Sequence, residues 1–277
     1  MPVLDTFRFS QSNLQDFIDC PRRFELRHLL HIAWPALESE PIIERENHRR
    51  AGELFHQMTH QYFVGVPKDQ IVTSGTDEKV RTWWDRFCSS ETIQKIPFPR
   101  YPEFVLSGLL GGYRLLAKFD LVSEDSGGNF SIFDWKTQIK LPGKAWLHEK
   151  IQTRLYPCLL VMAGKHLNQN EEIMAKKVEM IYWFPEHPQK AVVFKYSAEQ
   201  FVEDLAFLET LIRRIAGLNL GSFLATDDER KCSFCNYRSY CDRGQRAGNW
   251  EDDEFNLEGE PPLPFDIDFD QIEEISF

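Results

Sequence analysis

The chain has 277 residues, 42% of them hydrophobic, with 7 Trp, 8 Tyr and 22 Phe, which is enough for one sizeable core with a small appendage. A formal net charge of -11 excludes a protein coated uniformly with basic groups for phosphate binding, and no apolar stretch is long enough to cross a bilayer. The start, "MPVLDTFRFSQSN", lacks a basic region followed by an apolar run, so a soluble cytoplasmic protein with no membrane partner is expected. In a reducing compartment, six cysteines point to metal ligands or free thiols more than to disulfides.

In chain order, the first expected element is a helix in "SQSNLQDFIDCPRRF". Ser12 and Gln15 stand in capping-box spacing, and Pro21 should end or restart the helix. A second helix is expected through "HRRAGELFHQMTHQYF", where Ala51, Leu54, Phe55, Met58 and Tyr62 form an apolar stripe, and a third in "DEKVRTWWDRFC". From Phe104 the pattern turns to strands: "FVLSGLL", a Gly111-Gly112 turn, "YRLLAKFDLV", a polar turn with Gly127 and Gly128, then "FSIFDWKT". A helix bent at Pro157 follows in "AWLHEKIQTRLYPCLLVMA", then the strands "VEMIYWF" and "AVVFKY", then a long amphipathic helix capped by Ser197 with Gln200. The expected fold is α/β, a mixed central sheet of about five strands flanked by helices. Residues 1–246 read as a single domain, with Cys88 and Cys158 as core thiols.

The charge is unevenly distributed. Residues 251–277 hold 11 of the 43 Asp and Glu and no Lys or Arg, which leaves 32 acidic residues against 32 Lys and Arg in the 250 before them. A neutral body can carry a basic groove, with "CPRRF", "HRR" and "IRR" as contributors, while residues 247–277 read as an acidic, disordered tail. In "PPLPFDIDFDQIEEISF" apolar residues alternate with acids, so the tail is either a solubilising end or a peptide that docks on a partner or on the basic groove.

The chemistry concentrates on one hairpin. If "KFDLVSEDSGGNFSIFDWKT" turns on Gly127, Asp120 lies opposite Asp134. Directly opposed like charges destabilise a sheet, and a cation between them removes the penalty. Period two puts Lys136 on the face of Asp134. Two acids with an amine beside them suit phosphodiester hydrolysis: the acids hold Mg²⁺ or Mn²⁺, and the Lys orients a water or offsets charge. The plain alternative is an exposed salt-bridged edge, and a slip of one residue in the register would separate the acids.

Asp120, a turn, then Asp134-Trp135-Lys136 resembles the D-xn-(D/E)-x-K core of the PD-(D/E)XK nucleases. "GELFH" resembles the G-x-x-x-H helix of the RecB-like branch, and implies His56 as a metal ligand, with His60 as competitor. Gly52 would leave room beside it for a ligand. "PEF" puts Glu103 where the branch has an acid, and "QTRLY" resembles its Q-x-x-x-Y helix, which implies Gln152 and Tyr156 at the site. The family also implies a ligand role for the Trp135 carbonyl and a restriction-endonuclease-like fold. Two departures stand out. Ala117 replaces the glycine common three residues before the first Asp, and the second acid is Asp134 instead of Glu.

"KCSFCNYRSYC" spaces Cys232, Cys235 and Cys241 as C-x2-C-x5-C, and Cys20 in "DCPRRF" supplies a fourth thiol. Four such thiols satisfy zinc as readily as an iron–sulfur cluster, and spacing alone slightly favours zinc. Joining points so far apart removes on the order of 4 to 5 kcal/mol of loop-closure entropy, so the site reads as a staple of the two chain ends. The resemblance to cluster-bearing AddB-type and CRISPR adaptation nucleases implies a four-iron, four-sulfur cluster. It further implies a metal-dependent deoxyribonuclease for single-stranded or end-bearing DNA in repair or CRISPR adaptation, with a helicase or CRISPR proteins as partners. A non-catalytic DNA-binding or scaffold subunit is the other reading.

Overall fold

The computed structural model describes residues 7–33, 40–72, 75–233 and 235–244, so the acidic tail lies outside the described residues. Strand β1 (Arg8–Ser10) leads directly into helix α1 (Gln11–Asp19). The cap is Ser10, not Ser12: its side chain faces the Asn13 N–H, and the Asn13 side chain accepts from the Ser10 N–H at 2.9 Å. Cys20 is extended, and α2 (Pro21–Phe24) restarts with proline at its first position, where no N–H is needed, before a wide π-type turn over Glu25–Leu29. Helices α3 (Glu40–Phe63), α4 (Lys68–Ile71), α5 (Glu78–Ser89) and α6 (Glu91–Gln94) precede the long strands β2 (Arg100–Leu110) and β3 (Tyr113–Glu124). Then come β4 (Phe130–Trp135), α7 (Lys144–Glu149), α8 (Ile151–Ala163), β5 (Val178–Trp183), β6 (Val192–Lys195) and α9 (Ala198–Ala216). The helix expected across 145–163 breaks at Lys150, while Pro157 stays inside α8. Ser197 caps α9 through the Gln200 N–H at 3.1 Å, as its spacing predicts.

The sheet has six strands, one more than expected, in the order β1-β3-β4-β5-β6 with β2 on the other edge of β3. The addition is β1, which pairs parallel with β3 through Arg8, Phe9 and Ser10; three residues are too few to show a period. The β2–β3, β3–β4 and β5–β6 pairs are antiparallel, and β4–β5 is parallel across the α7–α8 crossover.

Over β4 and β5 both sheet faces are buried, which gives two cores. On one, Phe130, Ile132, Met180 and Tyr182 pack with Leu155, Leu159, Leu208 and Ile212 of α8 and α9. On the other, Phe133, Trp135, Ile181 and Trp183 meet Phe55, Trp83, Trp84 and Phe87 of α3 and α5. Successive side chains therefore alternate between cores along β4 and β5, as a pleated strand requires. On β3 the alternation slips: Phe119 and Leu121 are two residues apart yet belong to opposite cores. The slip falls at Asp120.

Candidate metal centre

Asp120 sits at the slip, and Glu103 faces it across the β2–β3 ladder. The pairing runs Pro102 with Leu121 and Phe104 with Phe119, leaving Glu103 and Asp120 unpaired between them. Glu103 has φ 50°, a left-handed conformation that costs a non-glycine residue about 1 kcal/mol or more and re-aims its side chain. On the other edge, β3 and β4 pair Leu121 with Phe133 and Val122 with Ile132, the register of a hairpin turning on Gly127. Continued one step past the last pair, that register runs from Asp120 to Asp134. Instead of another ladder bond, the Trp135 N–H donates to Asp120 Oδ2 at 2.7 Å.

His56 of α3 completes one side: its Nδ1 lies 3.2 Å from Asp120 Oδ1. One ligand atom each of His56, Glu103 and Asp120 fall within 4.8 Å of one another, the tightest such group of His, Cys, Asp and Glu among the described residues. Lys118 pairs with the Glu103 carboxylate.

The second acid is held from α8. Gln152 donates to Asp134 Oδ1 and accepts from the Lys136 ammonium at 2.8 Å, so one amide fixes both charged groups. Lys136 Nζ stands 3.0 Å from Asp134 Oδ2, yet that buried oxygen accepts no hydrogen bond of good geometry. A buried carboxylate oxygen without a donor is costly for the protein alone and is what a hard cation would use.

The charges perturb one another strongly. Burial opposes a proton on His56, but Asp120, with Asp134 and Glu103 behind it, raises the imidazole to about 9. Burial pushes Asp134 up to about 7 against the pull of Lys136, and the neighbouring Asp120 charge adds to the rise. Burial would also raise Asp120, but His56, the Trp135 N–H and Lys136 hold it below the usual carboxylate range. Without a cation the site keeps protons; with one, the same donors are set to lose them.

The structure thus brings together His56, Glu103, Asp120, Asp134, Lys136 and Gln152. Tyr156 is elsewhere: its ring packs 4.8 Å from that of Phe119, and its hydroxyl donates to the Lys118 carbonyl at 2.9 Å, so it props the strand that carries Asp120. The Trp135 indole is buried in the second core. His60, one turn beyond His56, is absent from the ligand group. Gly52 leaves room not for a ligand but for Thr137, whose Oγ1 would lie 2.9 Å from an added Cβ. His48, two turns before His56, was missed. Its Nε2 bonds the Thr137 carbonyl at 2.9 Å and its Nδ1 accepts from Lys79 at 2.8 Å. The signal was the helical spacing His48, Gly52, His56 along one face.

Of the four cysteines expected together, Cys20 is buried at the α1–α2 joint, and Cys232 and Cys235 share a tight turn with a 3.1 Å backbone bond. Burial raises the thiols of Cys232, Cys235 and Cys241, and the nearby Cys20 raises each further. The two chain ends also meet directly: Lys231 bonds Asp19 at 3.1 Å, Arg22 N–H bonds the Leu224 carbonyl at 3.1 Å, and Tyr237 bonds the Ile32 carbonyl at 2.9 Å. Cys158 is buried and pushed up to about 12, and Cys88 is half-buried.

A six-stranded mixed sheet with an Asp, Asp-x-Lys set at a hairpin slip defines a nuclease-type α/β domain. The family model of the PD-(D/E)XK nuclease superfamily matches residues 8–242, and the chain belongs to that superfamily. Among solved structures, it is similar to a "Putative exonuclease" from Eubacterium rectale, with 17% identity, 74% of this chain and 79% of that chain covered, and a TM-score of 0.45. It is also similar to the protein SSO0001, with 15% identity, coverages of 86% and 87%, and a TM-score of 0.42. No curated protein matches it significantly in sequence. No helix among the described residues is long and apolar enough to cross a membrane.

Proposed function

We propose that the chain is a Mg²⁺- or Mn²⁺-dependent deoxyribonuclease acting on single-stranded or end-bearing DNA, with His56, Glu103, Asp120 and Asp134 as the metal's protein ligands. The observation that carries this reading is the convergence of three ligand groups within 4.8 Å beside the buried Asp134 carboxylate. Hard oxygen donors with one imidazole suit these cations. When bound, the ion would supply Lewis-acid charge at the scissile phosphate. The Trp135 carbonyl is a further candidate donor.

The chain's own groups do the rest. Gln152 fixes the Lys136 ammonium, which then stands ready to orient a water and to offset negative charge as the phosphate becomes five-coordinate. Asp120, kept ionised by His56 and the Trp135 N–H, stays an acceptor across neutral pH. The first core and α8 keep bulk water from the Asp134 side, where each charge then acts more strongly.

For the four cysteines we infer a four-iron, four-sulfur cluster, with zinc as the competing occupant. Four thiols in mutual electrostatic range satisfy the ligand count, and the direct contacts between chain ends support a stapling role. Cys20→Ala should lower soluble yield and bleach the brown colour of anaerobically purified protein; a colourless, zinc-containing wild type would exclude the cluster. Work in repair or CRISPR adaptation beside a helicase or adaptation proteins, and docking by the acidic tail, complete this reading. Metal-dependent cleavage of end-labelled DNA tests it, and an Asp120→Asn protein that cleaves as well as the wild type would refute it.

A further inference from the structure

The β2–β3 hairpin extends well beyond the metal centre, and among the described residues one of its faces is packed and the other exposed. Leu106, Leu110, Leu115 and Ala117 point into the first core, and Gly108 sits so close to α8 that an added Cβ would lie 2.9 Å from Leu159. The opposite face carries the cross-strand pairs Val105 with Lys118, Ser107 with Leu116 and Leu109 with Arg114. Lys118 and Arg114 are exposed, and so are Val105 at 41% and Leu109 at 70%. Arg8 of β1 lies beside Arg114 in the parallel register, on the side away from the buried Phe9–Leu115 pair.

In a chain of net charge -11, residues 104–119 contain no Asp or Glu. Glu209, near the Gly111 tip, is paired with Arg213 at 2.6 Å. At the other end Lys118 pairs with Glu103, so this end of the face adjoins the ligand group. At about 3.3 Å per residue, Asp120 to Arg114 spans about 20 Å, enough for several nucleotides of an extended strand.

We propose that this face is the track along which a single polynucleotide strand enters the metal centre, with Arg114, Arg8 and Lys118 meeting phosphates and Val105 and Leu109 meeting sugars and bases. Cations beside apolar side chains in a shallow groove are what a single strand needs: charge follows the backbone, and flat contact accepts any base. A purely apolar edge would fit a protein partner better, and here both exposed apolar residues of the face, Val105 and Leu109, pair with a cationic one. The track deepens the nuclease reading and rests on it for the direction of entry.

The test uses full-length protein in an Asp120→Asn background, so that bound DNA is not cut, with a fluorescent single-stranded oligonucleotide read by anisotropy across a salt series. Arg114→Ala should weaken binding severalfold and reduce the slope of log K against log salt by about 0.7, the loss of one phosphate contact on a single strand. Leu109→Asp, an exposed change, should weaken binding at least tenfold, with circular dichroism confirming the fold. In the cleaving protein, Arg114→Ala should raise KM for a long strand more than it lowers kcat. Unchanged affinity and slope in both variants would overturn the proposal. So would a wild-type dimer that either variant converts to monomer, since the face would then be a protein interface. If the wild type cleaves nothing while the salt slope still responds to Arg114→Ala, the track stands and the nuclease reading falls.

Discussion

A cation entering the metal centre should expel protons, by an amount set by pH. His56 can ligate only as neutral imidazole, but without a cation burial is outweighed by Asp120 and its pKa stands at about 9. Asp134, buried and next to Asp120, stands at about 7. At pH 7, binding should therefore release nearly one proton from His56 and about half of one from Asp134, whereas at pH 9.5 the total falls to about a quarter of a proton. Removing the His56 proton two pH units below its pKa costs about 2.7 kcal/mol, roughly a hundredfold in affinity. The assay is calorimetric titration with Mn²⁺ in two buffers of different ionisation enthalpy, at both pH values. Stability follows the same sign. Both groups have folded pKa values above their ordinary ones, so their contribution is present at acid pH and is lost as pH rises through 7 for Asp134 and 9 for His56. Since His56 is a third exposed, its share is about 1 kcal/mol. The metal-free melting temperature should fall from pH 6 to 9, and the increment given by Mn²⁺ should grow. Proton release that is absent, or equal at pH 7 and 9.5, would refute His56 and Asp134 as ligands.

Gly52→Ala should destabilise the protein by about 1–3 kcal/mol in chemical denaturation, because its Cβ meets Thr137 Oγ1, and Thr137→Ala should rescue it. Gln152→Ala should lower kcat at least tenfold, since Lys136 and Asp134 lose their shared amide, while Tyr156→Phe should cost about 1 kcal/mol of stability and leave kcat within a fewfold. Deleting residues 251–277 should tighten DNA binding or remove a co-purifying protein; if neither changes, the tail has no docking role.

The sequence reading succeeded where a local pattern set the geometry. The Gly127 turn gave the β3–β4 register that pairs Leu121 with Phe133, and Ser197 with Gln200 correctly started α9. It failed where the cause was tertiary. Strand β1 is three residues long and exists because β3 has a free edge there. Ser10 displaced Ser12 as a cap because β1 delivers the chain at that point. The role of Gly52 depends on Thr137, 85 positions away, and Tyr156 faces a strand carbonyl that a helix period cannot locate. Glu103 was found only by family likeness: its left-handed φ, which aims it at Asp120, has no signature in "PEF".

The most direct test is cleavage of 5′-labelled single-stranded DNA by anaerobically purified wild-type and Asp120→Asn proteins, with Mg²⁺, Mn²⁺ or EDTA. Asp120→Asn should retain an acceptor for the Trp135 N–H while removing the charge shared with His56. The expected result is cleavage by the wild type with either cation, none with EDTA, and a loss of at least a thousandfold in the variant with unchanged folding. Cleavage that survives EDTA, or that Asp120→Asn performs at the wild-type rate, would contradict a metal-dependent centre built on Asp120.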